Sequence, residues 1–267
     1  MTDASQRPSR VLAGWLDEES SRALGLDDGA ARKCREAVRC RSHDRLLTQV
    51  EFSPAPLGRV SRNLSDVDPR FRKGELEVVA VDLAHVVATQ SVVAVDELRV
   101  NTLASHPTLE EVAIVTLPIA PLVLPTTAFD ERAQAWVVRS RGASIAVTGR
   151  YVAAAESGDP GSQCFGFLVS AQPSRITVGV IQGRVVLLDG HHRAVALLAL
   201  GVRRAPVALD RASSLPLTTD SFGREVILGQ SPPLLCDYLD GEVSLEAVVA
   251  RTERVILISA TEVDLPD

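Results

Sequence analysis

Residues 176–209, ITVGVIQGRVVLLDGHHRAVALLALGVRRAPVAL, switch abruptly from apolar to ionic and back. Ile176 to Ile181 is rich in β-branched residues, Gln182-Gly183 supplies a two-residue turn, and Arg184 to Leu188 resumes the extended pattern. The next residues, Asp189-Gly190-His191-His192-Arg193, introduce a proline-free run of strong helix formers that stops at Gly201, where a left-handed residue is expected. A short strand from Ala205 to Leu209 follows. The pattern predicts strand, turn, strand, charged turn, helix, strand, with the charged cluster on the first turn of the helix.

That position is electrostatically unusual. A helix N-terminus carries partial positive charge and unpaired N–H groups, so cations there cost up to about 1 kcal/mol each unless an anion is present. Arg193 and two imidazoles occupy it, Gly190 leaves the backbone uncovered, and the helix AVALLALG is apolar enough to be buried. A phosphate would satisfy all three features. The plainer alternative pairs Arg193 with Asp189 and packs the histidines.

The strand-DGHHR-helix sequence, with Gly201 and the strand after it, resembles the nucleotide-phosphate motif of the ParB/sulfiredoxin superfamily, which includes partition CTPases, sulfiredoxins, free-serine kinases and ParB-like nucleases. The form DGHHR is closest to the kinase-like and stand-alone branches. The resemblance implies that Gly190, His191, His192 and Arg193 hold nucleotide phosphates, that Asp189 orients the turn, and that His191, His192 and Asp189 are the catalytic candidates. It also implies an α/β (α+β) fold, a mixed sheet with flanking helices. VVAVDLAHVVATQ, residues 78–90, is similar to the family's opening strand and loop, which makes Gln90 a further binding candidate and Asp82 a weaker one. Asp82 also reads as an ordinary polar residue at a strand end. A sulfiredoxin reaction needs a reactive cysteine in this turn, and His191 stands there instead.

About a hundred residues separate Gln90 from Asp189, longer than a simple connection, so an insertion is expected over about residues 100–172. Within it Thr108 and Glu111 are spaced as a capping box, and Ala135 to Val138, Ala143 to Val152 and Phe165 to Ser170 read as strands. Ser157 to Ser162 reads as a turn or loop. The expected organisation is an N-terminal helical region with a linker over residues 1–70, the core domain over residues 75–210, and a C-terminal extension over residues 211–267. Val11 to Leu24 and Ala30 to Leu47 read as helices with Asp27 and Asp28 as capping candidates, Phe52 to Asp68 as a loop or linker, His85 to Gln90 as a strand, and RVILISA from Arg254 as a strand.

With 46% apolar and 23% charged residues, this is the composition of an ordinary globular chain. The N-terminus lacks the apolar core of a signal peptide, and the apolar run Val112 to Leu124 is interrupted by Pro118 and Pro121 and is too short for a bilayer, so a cytoplasmic protein with no membrane partner is expected and that run should be buried. Cys34, Cys40, Cys164 and Cys236 form no CxxC pair, and Cys34, Cys40 and His43 share no helix face well, so no metal site is expected.

The net charge is −6; residues 1–75 carry +2 and residues 205–267 carry −7, which disfavours nucleic acid as a general partner. The basic segment with Arg32, Lys33, Arg35, Arg39, Arg41 and Arg45 is the exception, read chiefly as a solvated face. Together with this charge distribution, the resemblance implies a nucleotide-dependent phosphotransferase or hydrolase acting on a small molecule, with ATP, ADP or CTP and Mg²⁺. The alternatives are a nucleotide-gated DNA- or protein-binding module of the partition type, or a ParB-like nuclease. Two adjacent helical histidines point about 100° apart and make poor co-ligands for one metal ion.

Overall fold

A computed structural model describes residues 6–41, 53–54, 57–94, 103–120, 125–140, 143–154, 163–212, 221–250 and 254–259. They fall into two compact units, residues 1–119 with 175–251 and residues 120–174 with 252–267. The architecture is mixed α/β, with several helices and a multi-strand sheet.

The first unit opens with β1 (Gln6–Val11), a 3-10 turn at Ala13–Trp15, α1 (Glu18–Ala23), α2 (Asp28–Cys40) and β2 (Ser53–Pro54). It continues with α3 (Gly58–Val67), α4 (Pro69–Arg72), β3 (Leu76–Asp82), a 3-10 turn at Leu83–His85, β4 (Val92–Ala94) and α5 (Leu109–Thr116). The chain then supplies β5 (Thr126–Asp130), β6 (Ala135–Ser140), β7 (Ala143–Ala154) and β8 (Gln163–Pro173) to the second unit. It returns to the first with β9 (Thr177–Ile181), β10 (Arg184–Asp189), α6 (His191–Ala199), β11 (Arg204–Asp210), α7 (Arg224–Ile227), a 3-10 turn at Leu235–Leu239 and β12 (Leu245–Ala250). The last strand, β13 (Arg254–Ser259), belongs to the second unit.

The principal sheet has the order β10-β9-β11-β3-β2. Gln182 and Gly183, at φ of 51° and 77°, turn β9 into β10 as a tight hairpin, which requires positive φ at both positions. Among the described strands of this sheet, β9 and β11 pair in parallel and the other neighbours antiparallel. Ala205 to Leu209 of β11 are buried without interruption, as a central strand covered on both faces must be. On α6, Ala194 to Leu198 are all buried, and each large side chain removed from water contributes about 1.5–3 kcal/mol. Gly201, at φ 79°, ends the helix: its N–H reaches Leu198 O at 2.9 Å and that of Val202 reaches Leu197 O at 2.9 Å.

Several local readings change. Val11 ends β1, whose partners Leu245 and Val92 are remote in sequence, so the expected Val11 to Leu24 helix shrinks to α1, capped by Asp17. The second expected helix is α2, capped by Asp27, with residues 42–47 outside the described residues. The stretch from Phe52 to Asp68 contains β2 and α3: its prolines lie only at positions 54 and 56, and Leu64 of α3 is fully buried. His85 to Gln90 is a 3-10 turn and an irregular segment with isolated bridges. The run from Val112 buries Val112, Ala113 and Leu117 but leaves Ile114 72% exposed, with residues 121–124 outside the described residues. The Thr108–Glu111 capping box is present, as are strands at all three positions expected in the insertion; residues 157–162 lie outside the described residues. Among the described residues, no helix is long and apolar enough to cross a membrane.

Segments from the N-terminal part of the chain and from residues 221–250 join the same unit as the principal sheet. Trp15 donates its indole N–H to Ser231 O at 2.7 Å, and Arg41 pairs with buried Asp237 at 2.7 Å and with Asp240. Leu234, Leu235, Tyr238 and Val243 are buried. β1, β4 and β12 form a small sheet of their own, so the compact units do not coincide with the divisions at residues 70 and 210. Tyr238, wholly buried, donates its hydroxyl to Gln90 O at 2.5 Å, and its ionisation is pushed well up by burial. Tyr238→Phe is expected to lower stability by about 1–2 kcal/mol, read by urea unfolding, because Gln90 O loses its buried donor.

Candidate functional site

Gly190 is the residue on which the turn between β10 and α6 depends. Its backbone is left-handed, at φ 89° and ψ 22°. A Cβ there would lie 2.8 Å from Ile176 Cα and 2.9 Å from Arg175 O, so the backbone entering β9 occupies the space that a side chain would need. The glycine is therefore required by the protein's own packing. Asp189 is half-buried, and its Oδ1 accepts the Gly190 N–H at 2.8 Å, across the start of the turn. Gly190, the N-cap of α6, has no side chain with which to cap it.

The next two residues face one neighbouring segment. His191, only 2% exposed, accepts the Thr89 N–H on Nε2 at 3.2 Å. Thr89 Oγ1 lies 2.9 Å from the same nitrogen and donates to Leu187 O at 2.8 Å. With Nε2 accepting, the imidazole proton belongs on Nδ1, and this buried atom has no hydrogen-bond partner among the described residues. Burial, with a smaller contribution from His192, pushes the His191 pKa down to about 3, so the ring is neutral and acts as a hydrogen-bonding group. His192 is exposed and accepts the Ala94 N–H on Nδ1 at 2.8 Å. The two imidazoles thus fasten the segment from Thr89 to Ala94 across the head of α6. Val87 joins that segment to β10, since its N–H donates to Val185 O and its carbonyl accepts from Leu187 N, each at 2.9 Å.

Arg193 is 7% exposed and contributes a buried cation to the same helical turn. Gln90 lies between the two histidine contacts in the chain, half-buried, with its backbone bridged to Ser221. The structure therefore brings Asp189, Gly190, His191, His192 and Arg193 together in one turn, with Gln90 in the segment across it. Asp82 is elsewhere in role: it caps the following 3-10 turn through Ala84 N and pairs with Arg203 at 2.7 Å. Thr89 was not singled out in the sequence. The only available signal was a polar side chain directly after the apolar VVA and beside Gln90.

Chemically, the turn offers a glycine-capped helix N-terminus, a buried imidazole nitrogen without a hydrogen-bond partner among the described residues, and a buried arginine within three residues. A buried donor without a partner costs about 1–3 kcal/mol, and a charge-assisted bond to an anion would recover it. Among the described residues, no group of three or more His, Cys, Asp or Glu side chains is placed to hold a metal ion. No family model, curated protein or solved structure matches this chain.

Two outcomes test the geometry. Gly190→Ala is expected to cost more than about 2 kcal/mol, from left-handed strain plus backbone overlap, whereas Gly201→Ala should cost about 1 kcal/mol because nothing lies within 4 Å of its Cβ position; chemical denaturation compares them. For His191, the folded pKa lies below the usual 6.5, so its contribution is fully present above pH 6.5. It is lost as pH falls, because the unfolded chain takes up a proton that the folded chain refuses. Stability between pH 6.5 and 4 should fall less steeply in His191→Gln than in the wild type, measured as denaturation midpoint against pH.

Proposed function

We propose that this chain is a nucleotide-binding protein of ParB/sulfiredoxin type, in which the N-terminus of α6 holds the phosphates. Its activity in this reading is phosphotransfer or nucleotide hydrolysis with a small-molecule substrate. The observation that carries it is the Nδ1 of His191, which has no hydrogen-bond partner among the described residues and is buried in the first turn of a helix whose N-cap is a glycine. A phosphate oxygen supplies the missing acceptor, and the helix end favours its charge by up to about 2 kcal/mol in a partly buried setting.

Within this reading each residue has a distinct task. Gly190 allows the chain to enter the helix in the left-handed conformation, and Asp189 fixes the direction of its amide. Arg193 balances phosphate charge from within the turn. His191 serves as a neutral donor, since its pKa near 3 keeps it uncharged at neutral pH. His192 is the exposed imidazole at the same helix end, suited to contact a transferred group. Phosphoryl transfer needs chiefly positioning and charge neutralisation, which such a turn can provide. ATP, ADP and CTP are the candidate nucleotides; their own phosphates would carry a Mg²⁺ to the turn.

The partition-like alternative draws support from a different feature. Arg32, Lys33 and Arg39 of α2, and Arg59 and Arg62 of α3, are exposed. They would contact nucleic acid or an acidic partner when nucleotide is bound.

Calorimetric titration with ATP, ADP, CTP and GTP, each with Mg²⁺, is the test. At least one should bind with a micromolar dissociation constant, about −8 kcal/mol, and His192→Ala should weaken it about tenfold. Arg193→Ala should remove most of the binding, with circular dichroism checking that the fold survives. Absence of heat with every nucleotide rejects the reading. Release of phosphate or a phosphorylated product then separates an enzyme from a nucleotide switch, and a nucleotide-dependent mobility shift lost in Arg32→Ala/Lys33→Ala would favour the partition-like alternative.

A further inference from the structure

Arg175 and Asp68 are each only 4% exposed, and Arg175 Nη1 meets Asp68 Oδ2 at 2.6 Å. The guanidinium is held at two further points: Nε donates to Pro118 O at 3.1 Å, and the Phe71 ring lies 5.5 Å beneath it. Asp68 is equally committed, since it accepts the Arg70 N–H at 3.1 Å as the cap of α4 and takes Arg70 Nη2 at 2.8 Å. Burial raises the pKa of the Asp68 carboxyl, but hydrogen bonds from Arg70 and Arg175 prevail and hold it down at about 2.

A buried ion pair is a costly way to gain stability, because desolvation offsets most of the Coulombic attraction. Its distinctive property is direction: a planar guanidinium fixed at three points can occupy one position only. The backbone of the same residue lies against the phosphate turn. Arg175 O and Ile176 Cα are the atoms that exclude a side chain from Gly190. Ile176 is in turn fixed by its N–H to Thr116 O at 2.8 Å and by its carbonyl, which accepts from Ala208 N at 2.9 Å. The route from Asp68 to the head of α6 is thus continuous: carboxylate, guanidinium, Arg175 backbone, Gly190.

We propose that the Asp68–Arg175 pair is a positioning device for the phosphate turn, setting the floor against which Gly190 turns and so the aim of the first N–H groups of α6 at a nucleotide phosphate. Neither side chain touches the ligand. The affinity part of this inference rests on the function proposed above; the geometric part does not.

The test compares Arg175→Lys, which keeps the charge but loses the fork, with Asp68→Asn and Phe71→Leu. Arg41→Lys is the control, because it weakens a different ion pair, to Asp237 and Asp240, none of whose atoms are those that crowd Gly190. In the three test variants the Gly190 amide resonance in ¹H–¹⁵N spectra should shift, and its hydrogen exchange should accelerate about tenfold, the equivalent of one charge-assisted hydrogen bond. The control, compared at matched global stability, should show neither change. Affinity for Mg²⁺-ATP, or for whichever nucleotide the wild type binds best, should weaken about five- to tenfold in the test variants only. An unmoved Gly190 resonance in folded variants overturns the proposal, as does unfolding of all three, because a pair needed only for folding positions nothing. If the wild type binds no nucleotide, the functional reading fails while the Gly190 resonance still decides the role of the clamp.

Discussion

The contact between the backbone at Arg175–Ile176 and Gly190 is the constraint on which the first unit depends. It is a close approach of main chain to main chain, with no room for a methyl group and with the glycine already in a left-handed conformation. Everything that meets there is fixed from a different direction. β10 arrives from its hairpin with β9, α6 leaves toward β11, and the residue entering β9 is tied to α5 and β11 by its two backbone hydrogen bonds. A well-packed interior offers few small adjustments, so the turn has essentially one conformation as long as those partners are in place.

The same turn concentrates polar groups in apolar surroundings. His191 is neutral because burial makes its charged form unaffordable, and its Nε2 accepts a backbone N–H that would otherwise lie buried without a partner. With His192 it binds one segment of chain at two backbone positions, Thr89 and Ala94. That segment is itself paired on other sides: Ala88 N–H reaches Pro233 O, Thr89 O accepts from Phe222 N, and Leu12 N–H reaches Ser91 O. The segment held by the head of α6 is consequently bonded to residues remote in the chain on both sides, Leu12 on one and Phe222 and Pro233 on the other. This explains why the N-terminal strand and the C-terminal 3-10 turn are integrated with the principal sheet, even though their local sequences read as appendages.

The second unit has a simpler construction. β13, β6 and β5 form one sheet, β7 and β8 a long two-stranded ribbon, and Phe129 packs edge-on against Trp136 at 5.5 Å between ring centroids. Tyr151 covers Gly166 on the paired strand, occupying the place where a larger residue's side chain would stand. β6, β7, β8 and β13 were legible individually from their β-branched and aromatic residues, but β5 was not, nor was the joining of β13 to β6, because no local pattern encodes a partner so distant in the chain.

The division between sequence and tertiary structure follows the range of the forces involved. The β9–β10 hairpin, α6 with its left-handed glycine stop, the Thr108 capping box and the crowding of Asp189, Gly190, His191, His192 and Arg193 into one helical turn were determined locally, because turn geometry, capping and helical periodicity act over a few residues. Only the folded chain decided that His191 would be buried and neutral, that Thr89 would be its partner, and that Asp82 would serve a surface ion pair with Arg203. It also decided that Arg175, unremarkable in sequence, would be locked to Asp68 and carry its backbone against Gly190. Those outcomes depend on burial and on pairing between remote segments, and a side chain's charge, partner and accessible space are set by what the rest of the chain places around it.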